Sequence, residues 1–401
     1  MIVNYPRMRR RAAWPNDLDT ALQFASPNSF SISAPKKWDG KLEYTNGSGW
    51  KTWDGGEITS GENGSNHCIY LRGTGNSKIT GVSSYKAKWR IIGTNIACNG
   101  DIDLLLDYSL VKSGNHPKMA SRCYSYMFQN CTSLTTAPVL PATTLAGNCY
   151  ASMFRGCTSL TTAPALPATT LADNCYNFMF YDCTSLTTAP ALPATTLASG
   201  CYSYMFQSCT SLTTAPALPV TTLADNCYIS MFYGCTSLTT APALPVTTLA
   251  DNCYNSMFYG CTSLTTAPAL PATTLASGCY ASMFRGCTSL TTAPALPATT
   301  LASGCYSYMF QSCTSLTTAP ALPATTLADN CYNFMFYGCR KIKLSTTASG
   351  TYTKSYRIPK SGTGTTALGA LNNMFGNTGG TFKGTPEINT TYYLDESNTI
   401  V

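Results

Sequence analysis

From Cys123 to Cys339, eighteen of the chain's twenty cysteines fall at spacings that alternate strictly between 8 and 18 residues. The chain therefore repeats every 26 residues, in eight full copies from Cys123 to Asn330 and a ninth that stops at Cys339. A fixed period of about 20–50 residues defines a repeat array, in which each unit buries its apolar face only against its neighbours. A single closed globular core cannot be built from such a sequence.

One unit, "DNCYNFMFYDCTSLTTAPALPATTLA" from Asp173 to Ala198, shows the parts. Two residues before the first cysteine the nine copies carry Ser121, Gly147, Asp173, Ser199, Asp225, Asp251, Ser277, Ser303 and Asp329. These are good helix N-caps, so a helix of about ten residues is expected to start there. On it Cys175, Tyr176, Met179, Phe180 and Cys183 share one arc and are the same in every copy. Asn177, Phe178, Tyr181 and Asp182 share the opposite arc, where the residues change from copy to copy. After the helix, Leu186, Ala189 and Leu192 are candidate core residues on a short extended segment that Pro190 keeps short. Leu197 anchors the return. The expected fold is an α/β solenoid, a leucine-rich-repeat-like horseshoe of short parallel strands and short helices, preceded by a small β-sandwich.

The run "MFxxCTSL", followed by an extended segment and a proline, resembles the BspA-like leucine-rich repeats of bacterial surface proteins. There an aromatic residue, a cysteine and a leucine hold the same relative places. The resemblance covers residues 123–339 and implies a binding scaffold without naming a ligand. The second helical cysteine and the "APALPATT" connection depart from the usual pattern.

Cysteines eight apart on one helix would lie about 12 Å apart, beyond the ~7 Å limit for a disulfide. Bonds between helices packed at about 8–10 Å are equally out of reach. The thiols are therefore expected to be reduced, buried and apolar in role. No metal site is expected, because no C-x-x-C pair exists and His67 and His116 lie outside the repeats. No cofactor motif and no nucleophile arrangement stands out in either flank, so the chain is expected not to be an enzyme.

Charge is confined to the flanks. Residues 123–339 contain no lysine and only Arg155 and Arg285 as cations, against five aspartates. A nucleic-acid reader needs a continuous basic face; the best run here, "RMRRRAAW" at Arg7 to Trp14, is short. Nucleic acid is not an expected partner, and membrane insertion is excluded by the lack of a run of about 18 apolar residues. The opening lacks the features of a secretory signal, so the chain is expected to start at Met1 and to be made in the cytoplasm.

Residues 1–23 read as a basic arm. Residues 24–107 alternate as strands around the Asn46-Gly47 turn and read as an immunoglobulin-like β-sandwich. Residues 108–122 link it to the repeats. Residues 340–401 read as a cap and tail, with a degraded repeat at Met374-Phe375.

The variable arc offers Tyr126, Phe178, Tyr181, Tyr204, Tyr233, Tyr259, Tyr308, Phe334, Tyr337, Arg155 and Arg285 as an exposed ligand-binding face, in the residue types that dominate binding loops. The concave threonine and proline surface is the other candidate. Adjacent threonines on a strand point to opposite sides, so each "TT" should show one outward threonine per coil, which sets aside an ice-binding array. Low charge, tandem repeats and no export signal together resemble a bacteriophage tail-fibre or other virion-appendage layout. The expected partners are a host cell-surface protein or glycan, other virion proteins through the N-terminal region, and in some form a second copy of the chain. A bacterial cell-surface adhesin and a purely structural virion decoration or spacer are the alternatives.

Overall fold

The computed structural model describes residues 13–81 and 85–401. Residues 7–12 of the basic run lie outside the described residues. Trp14, at its end, donates its indole N–H to the Glu62 carbonyl and packs edge-on against Tyr70.

The N-terminal unit consists of β1 (Leu22–Ser26), β2 (Ser31–Ser33), β3 (Lys41–Thr45), β4 (Lys51–Trp53), β5 (Ile58–Thr59), β6 (Gly61–Asn63), β7 (Asn66–Thr74), β8 (Arg90–Ile92) and β9 (Ile96–Asn99), followed by α1 (Leu104–Lys112). One sheet runs β9-β1-β7-β3-β4, with β6 also on β7; a second runs β5-β2-β8. Trp38, Trp53 and Trp89 are buried between them and contact one another ring to ring. The order is not the immunoglobulin one expected from the strand spacing. In that fold the second strand pairs with the first, whereas here β1 and β2 belong to different sheets. The large sheet continues into the repeats, because β9 pairs in parallel with β10 (Leu134–Thr136) of the first coil.

The largest departure from expectation concerns the helices. Between each pair of cysteines eight apart there is no α-helix but a ribbon of successive turns. Every fourth residue has a left-handed backbone: Arg122, Tyr126 and Asn130 in the first coil, Asn174, Phe178 and Asp182 in the third, and so on through Gly338. Alternate N–H groups close turns onto the carbonyl three residues back, as from Met127 to Tyr124 and from Cys131 to Phe128. The intervening ones donate to the next coil, as Tyr124 to Cys149, Tyr126 to Ala151 and Phe128 to Met153. The left-handed residue stands third in its turn, where a type II turn requires positive φ. A helix could not stack at this spacing. Equivalent tyrosines of successive coils have ring centroids 5.7–5.8 Å apart, whereas packed helices keep their axes about 8–10 Å apart. The residues read as N-caps bond across coils instead: Asp173, Asp225 and Asp251 each accept the N–H of the residue 26 positions on.

The constant arc forms the core. Tyr124 to Tyr332 make one ladder of nine stacked rings, and Phe128 to Phe336, continued by Phe375, make a second. The cysteines, the methionines Met127 to Met335 and the Leu160/Leu186 row fill the space around them. On the opposite side, strands shrink to single parallel bridges, such as Thr162–Thr188 and Thr188–Thr214 in one row and Thr144–Thr170 in another. Because the chain is not a continuous strand there, both threonines of each pair, Thr187 with Thr188 and Thr195 with Thr196, are exposed. One-sided exposure, the ground for setting aside a paired threonine array, does not hold.

Residues 367–377 add a tenth ribbon: Tyr332, Phe334 and Phe336 donate to the carbonyls of Ala370, Asn372 and Met374. The end is closed by β11 (Thr318–Ala319) pairing with β15 (Thr399–Ile400), and by β12 (Leu344–Ser345) and β13 (Tyr352–Arg357) on either side of β14 (Thr391–Asp395).

Candidate functional site

The variable residues of the ribbon fall into two neighbouring columns. The first holds the middle left-handed position: Tyr126, Ser152, Phe178, Tyr204, Ser230, Ser256, Ser282, Tyr308 and Phe334, with φ between 52° and 62°. The second lies three residues on: Gln129, Arg155, Tyr181, Gln207, Tyr233, Tyr259, Arg285, Gln311 and Tyr337. Part of the variation on this face is therefore conformational. The positions just before each cysteine are filled mostly by Asn, Gly, Ser or Asp, the residues that best tolerate a left-handed backbone.

The eleven candidate residues are half-buried rather than fully exposed, and ten of them cover one another. They gather into two groups. In the first, Phe178 and Tyr204 stack at 4.4 Å with planes 1° apart, Tyr181 lies against Phe178, and the Arg155 guanidinium sits 4.4 Å over Tyr181 and 5.6 Å over Phe178. In the second, Tyr233 and Tyr259 stack at 4.4 Å, Arg285 bridges Tyr259 and Tyr308 at 5.1 and 5.5 Å, and Tyr308 stacks on Phe334, which abuts Tyr337. Tyr126 joins neither group and has no ring contact among the described residues.

Burial raises the Tyr233 hydroxyl above its ordinary value, and the neighbouring Tyr259 adds to the shift. Burial likewise raises Asp182, against the opposing hydrogen bond from Ser208 and the charge of Arg155. Neither guanidinium has a hydrogen bond or ion pair among the described residues; each rests on the ring faces beneath it.

Among the described residues there is no group of three or more metal-ligating side chains and no helix long and apolar enough to cross a membrane. The sequence reading passed over one buried group. Asp103 has a 1% exposed side chain beside a cavity of about 410 Å³ that His116, Lys118, Thr144 and Leu145 also line. Its Oδ1 accepts the Tyr124 hydroxyl at 3.1 Å, and its Oδ2 has no donor within hydrogen-bond distance but faces the His116 Nδ1 at 3.7 Å. Burial first, and then the charge of Asp101, raise its pKa to about 6. An aspartate at the head of the tyrosine ladder had no motif to mark it.

A stack of 26-residue units, each contributing leucines, an aromatic pair and two cysteines to a shared core, is a leucine-rich tandem-repeat protein. The model of the BspA type leucine rich repeat region matches residues 122–265 and 229–357, in six copies, and the chain belongs to that family. Membership suggests a surface or adhesion repeat protein. No curated protein and no solved structure matches the chain.

Proposed function

We propose that the protein is a non-enzymatic recognition protein that binds a host cell-surface protein or glycan through the two columns of the turn ribbon. The repeats are read as a curved solenoid. The ribbon lies on the side away from the threonine bridges, and we take its face as the convex one.

One observation carries the reading: bulky aromatic residues occupy left-handed backbone positions at Tyr126, Phe178, Tyr204, Tyr308 and Phe334. A left-handed backbone costs a side-chain-bearing residue about 1–2 kcal/mol, and serine stands at the same position in the other four coils. Rings kept in spite of that cost, on the outer face, support a binding role. Low charge and tandem repeats favour a phage virion appendage as the place of work, with the N-terminal unit docking on other virion proteins. The chain should then be found in purified particles; its presence on intact bacterial cells and not in particles would make it a cell-surface adhesin.

The test of the face is a variant with Tyr126, Tyr181, Tyr204, Tyr233, Tyr259, Tyr308 and Tyr337 changed to serine. Attachment to target cells should be lost while the fold, read by circular dichroism, remains. The control Phe206→Ala opens a cavity in the inner ladder and should cost about 3–5 kcal/mol with attachment intact below its melting point. Full attachment by the serine variant would move the site to the threonine face or the β-sheet unit.

A further inference from the structure

We propose that the two arginine-centred groups are paired binding sites for an acidic, carboxylate-bearing glycan. The inference rests on the recognition reading above and names the ligand class for it.

Arg155 and Arg285 are the only cations in residues 123–339, and both occur where rings converge. Each guanidinium rests on two aromatic faces. Cation–π contact holds the group through its charge and leaves its five N–H donors without a protein partner among the described residues. A planar fork of this kind matches a carboxylate in bidentate geometry. The last ring of each stack, Tyr204 at one site and Phe334 at the other, is stacked on one face only and offers the other as an apolar platform for the C–H face of a sugar. A carboxylate beside an apolar ring face is the chemistry of a sugar acid.

The repeat also sets the spacing. The two arginines are five coils apart, about 28 Å at the 5.7 Å ring spacing of the ladder. A polymer carrying many acidic residues can engage both, and linked engagement exceeds either site alone.

The sites are not equal. Asp182 lies close enough to Arg155 for its carboxyl to feel the charge, whereas the corresponding position for Arg285 is Ser312. The Arg285 site therefore has no competing carboxylate and should be the tighter one.

The experiment measures binding of the intact protein to a panel of uronic-acid and nonulosonic-acid oligosaccharides, each beside its carboxyl-reduced form, at low and high salt. At least one acidic member should bind, its reduced form about tenfold or more weakly, with affinity falling as salt rises. Arg285→Ala and Arg285→Lys should both weaken binding by a similar factor, because lysine restores charge without the fork. Asp182→Asn should strengthen it. Thermal unfolding of each variant separates loss of binding from loss of fold. Equal binding of acidic and reduced forms, no binding to any acidic member, or an unchanged Arg285→Lys would overturn the assignment. If the tyrosine variant still loses attachment in that case, recognition by the ribbon stands and only the acidic-glycan assignment falls.

Discussion

The thiol of Cys157 donates to the carbonyl oxygen of Phe128 in the preceding coil, 3.1 Å away. The same carbonyl closes a turn with the Cys131 N–H. Seven further cysteines, from Cys183 to Cys339, repeat the contact at 2.9–3.1 Å. The second cysteine of each unit thus joins neighbouring coils without a covalent bond. A disulfide between equivalent cysteines is disfavoured by the stacking itself. Residues related by translation keep their Cβ atoms as far apart as the coils, about 5.7 Å, and a bridge needs about 3.8 Å.

These thiols should be inert in the native protein. All twenty are buried and free, and burial pushes them up, to about 12 at Cys183 and Cys235. A thiolate reagent at neutral pH should label almost none in the folded chain and twenty after denaturation. Cys235→Ala should cost about 1–3 kcal/mol through the lost sulfur packing and hydrogen bond. Rapid labelling of the native protein, or disulfides found by mass spectrometry, would refute the arrangement.

The left-handed positions give a test whose sign separates a turn ribbon from a helix. Gly260 has φ +70°, and a Cβ there would meet nothing nearer than 3.8 Å. Gly260→Ala introduces backbone strain without a clash and should destabilise by about 1 kcal/mol. In a helix the same change would stabilise by about 1 kcal/mol. Gly260→Asn should cost less than alanine, since asparagine tolerates this region. Chemical denaturation of the three proteins measures the order directly.

The repeat, its period, its core residues and the family were legible because burial imposes strict identity at Tyr176, Met179, Phe180 and Cys183. The local conformation was not. Core residues at intervals of three and four satisfy a helical arc, yet here the same intervals arise because the chain turns over every fourth residue. The contrary signal was present in Asn148 and Gly156, Asn226 and Gly234, residues poor in a helix interior and placed eight apart. The assumed helix also placed the variable side chains in solvent, where mutual stacking covers half of each. That Arg155 and Arg285 lie over rings of neighbouring coils depends on the ~5.7 Å coil spacing, which no period in the sequence states.

Asp103 should make stability fall with rising pH. Its folded pKa of about 6 lies above the ordinary value of an aspartate, about 3.9, so the folded state holds the proton more tightly than the unfolded chain. Its contribution is fully present below about pH 4, is lost as pH rises to about 6, and is then level, a change of about 3 kcal/mol. Asp101, also raised by burial, acts in the same direction. Asp103→Asn keeps an acceptor for the Tyr124 hydroxyl and should flatten most of the slope while raising the melting temperature at pH 7. Unfolding measured between pH 4 and 7 for both proteins decides it; parallel curves would mean that the carboxyl is not buried in charged form.

Tyr126 and Tyr204 share one left-handed position but not one environment, and the difference can be measured. Tyr126 has φ +62° and no ring neighbour, so the asparagine variant removes strain of about 1 kcal/mol against the loss of a half-buried ring. Its stability should stay within about 0.5 kcal/mol of the parent or rise above it. Tyr204 has φ +58° and stacks on Phe178 at 4.4 Å, so Tyr204→Asn gains the same relief but loses a ring pair worth about 0.5–1.5 kcal/mol beyond its buried area. It should melt below the Tyr126 variant. Attachment should follow the other order of logic: the Tyr204 change breaks the Arg155 group and weakens binding, while the Tyr126 change, whose ring touches no ring or guanidinium of either group, leaves it nearly intact. Equal loss of attachment in the two variants would show that the whole column binds rather than its two arginine-centred groups.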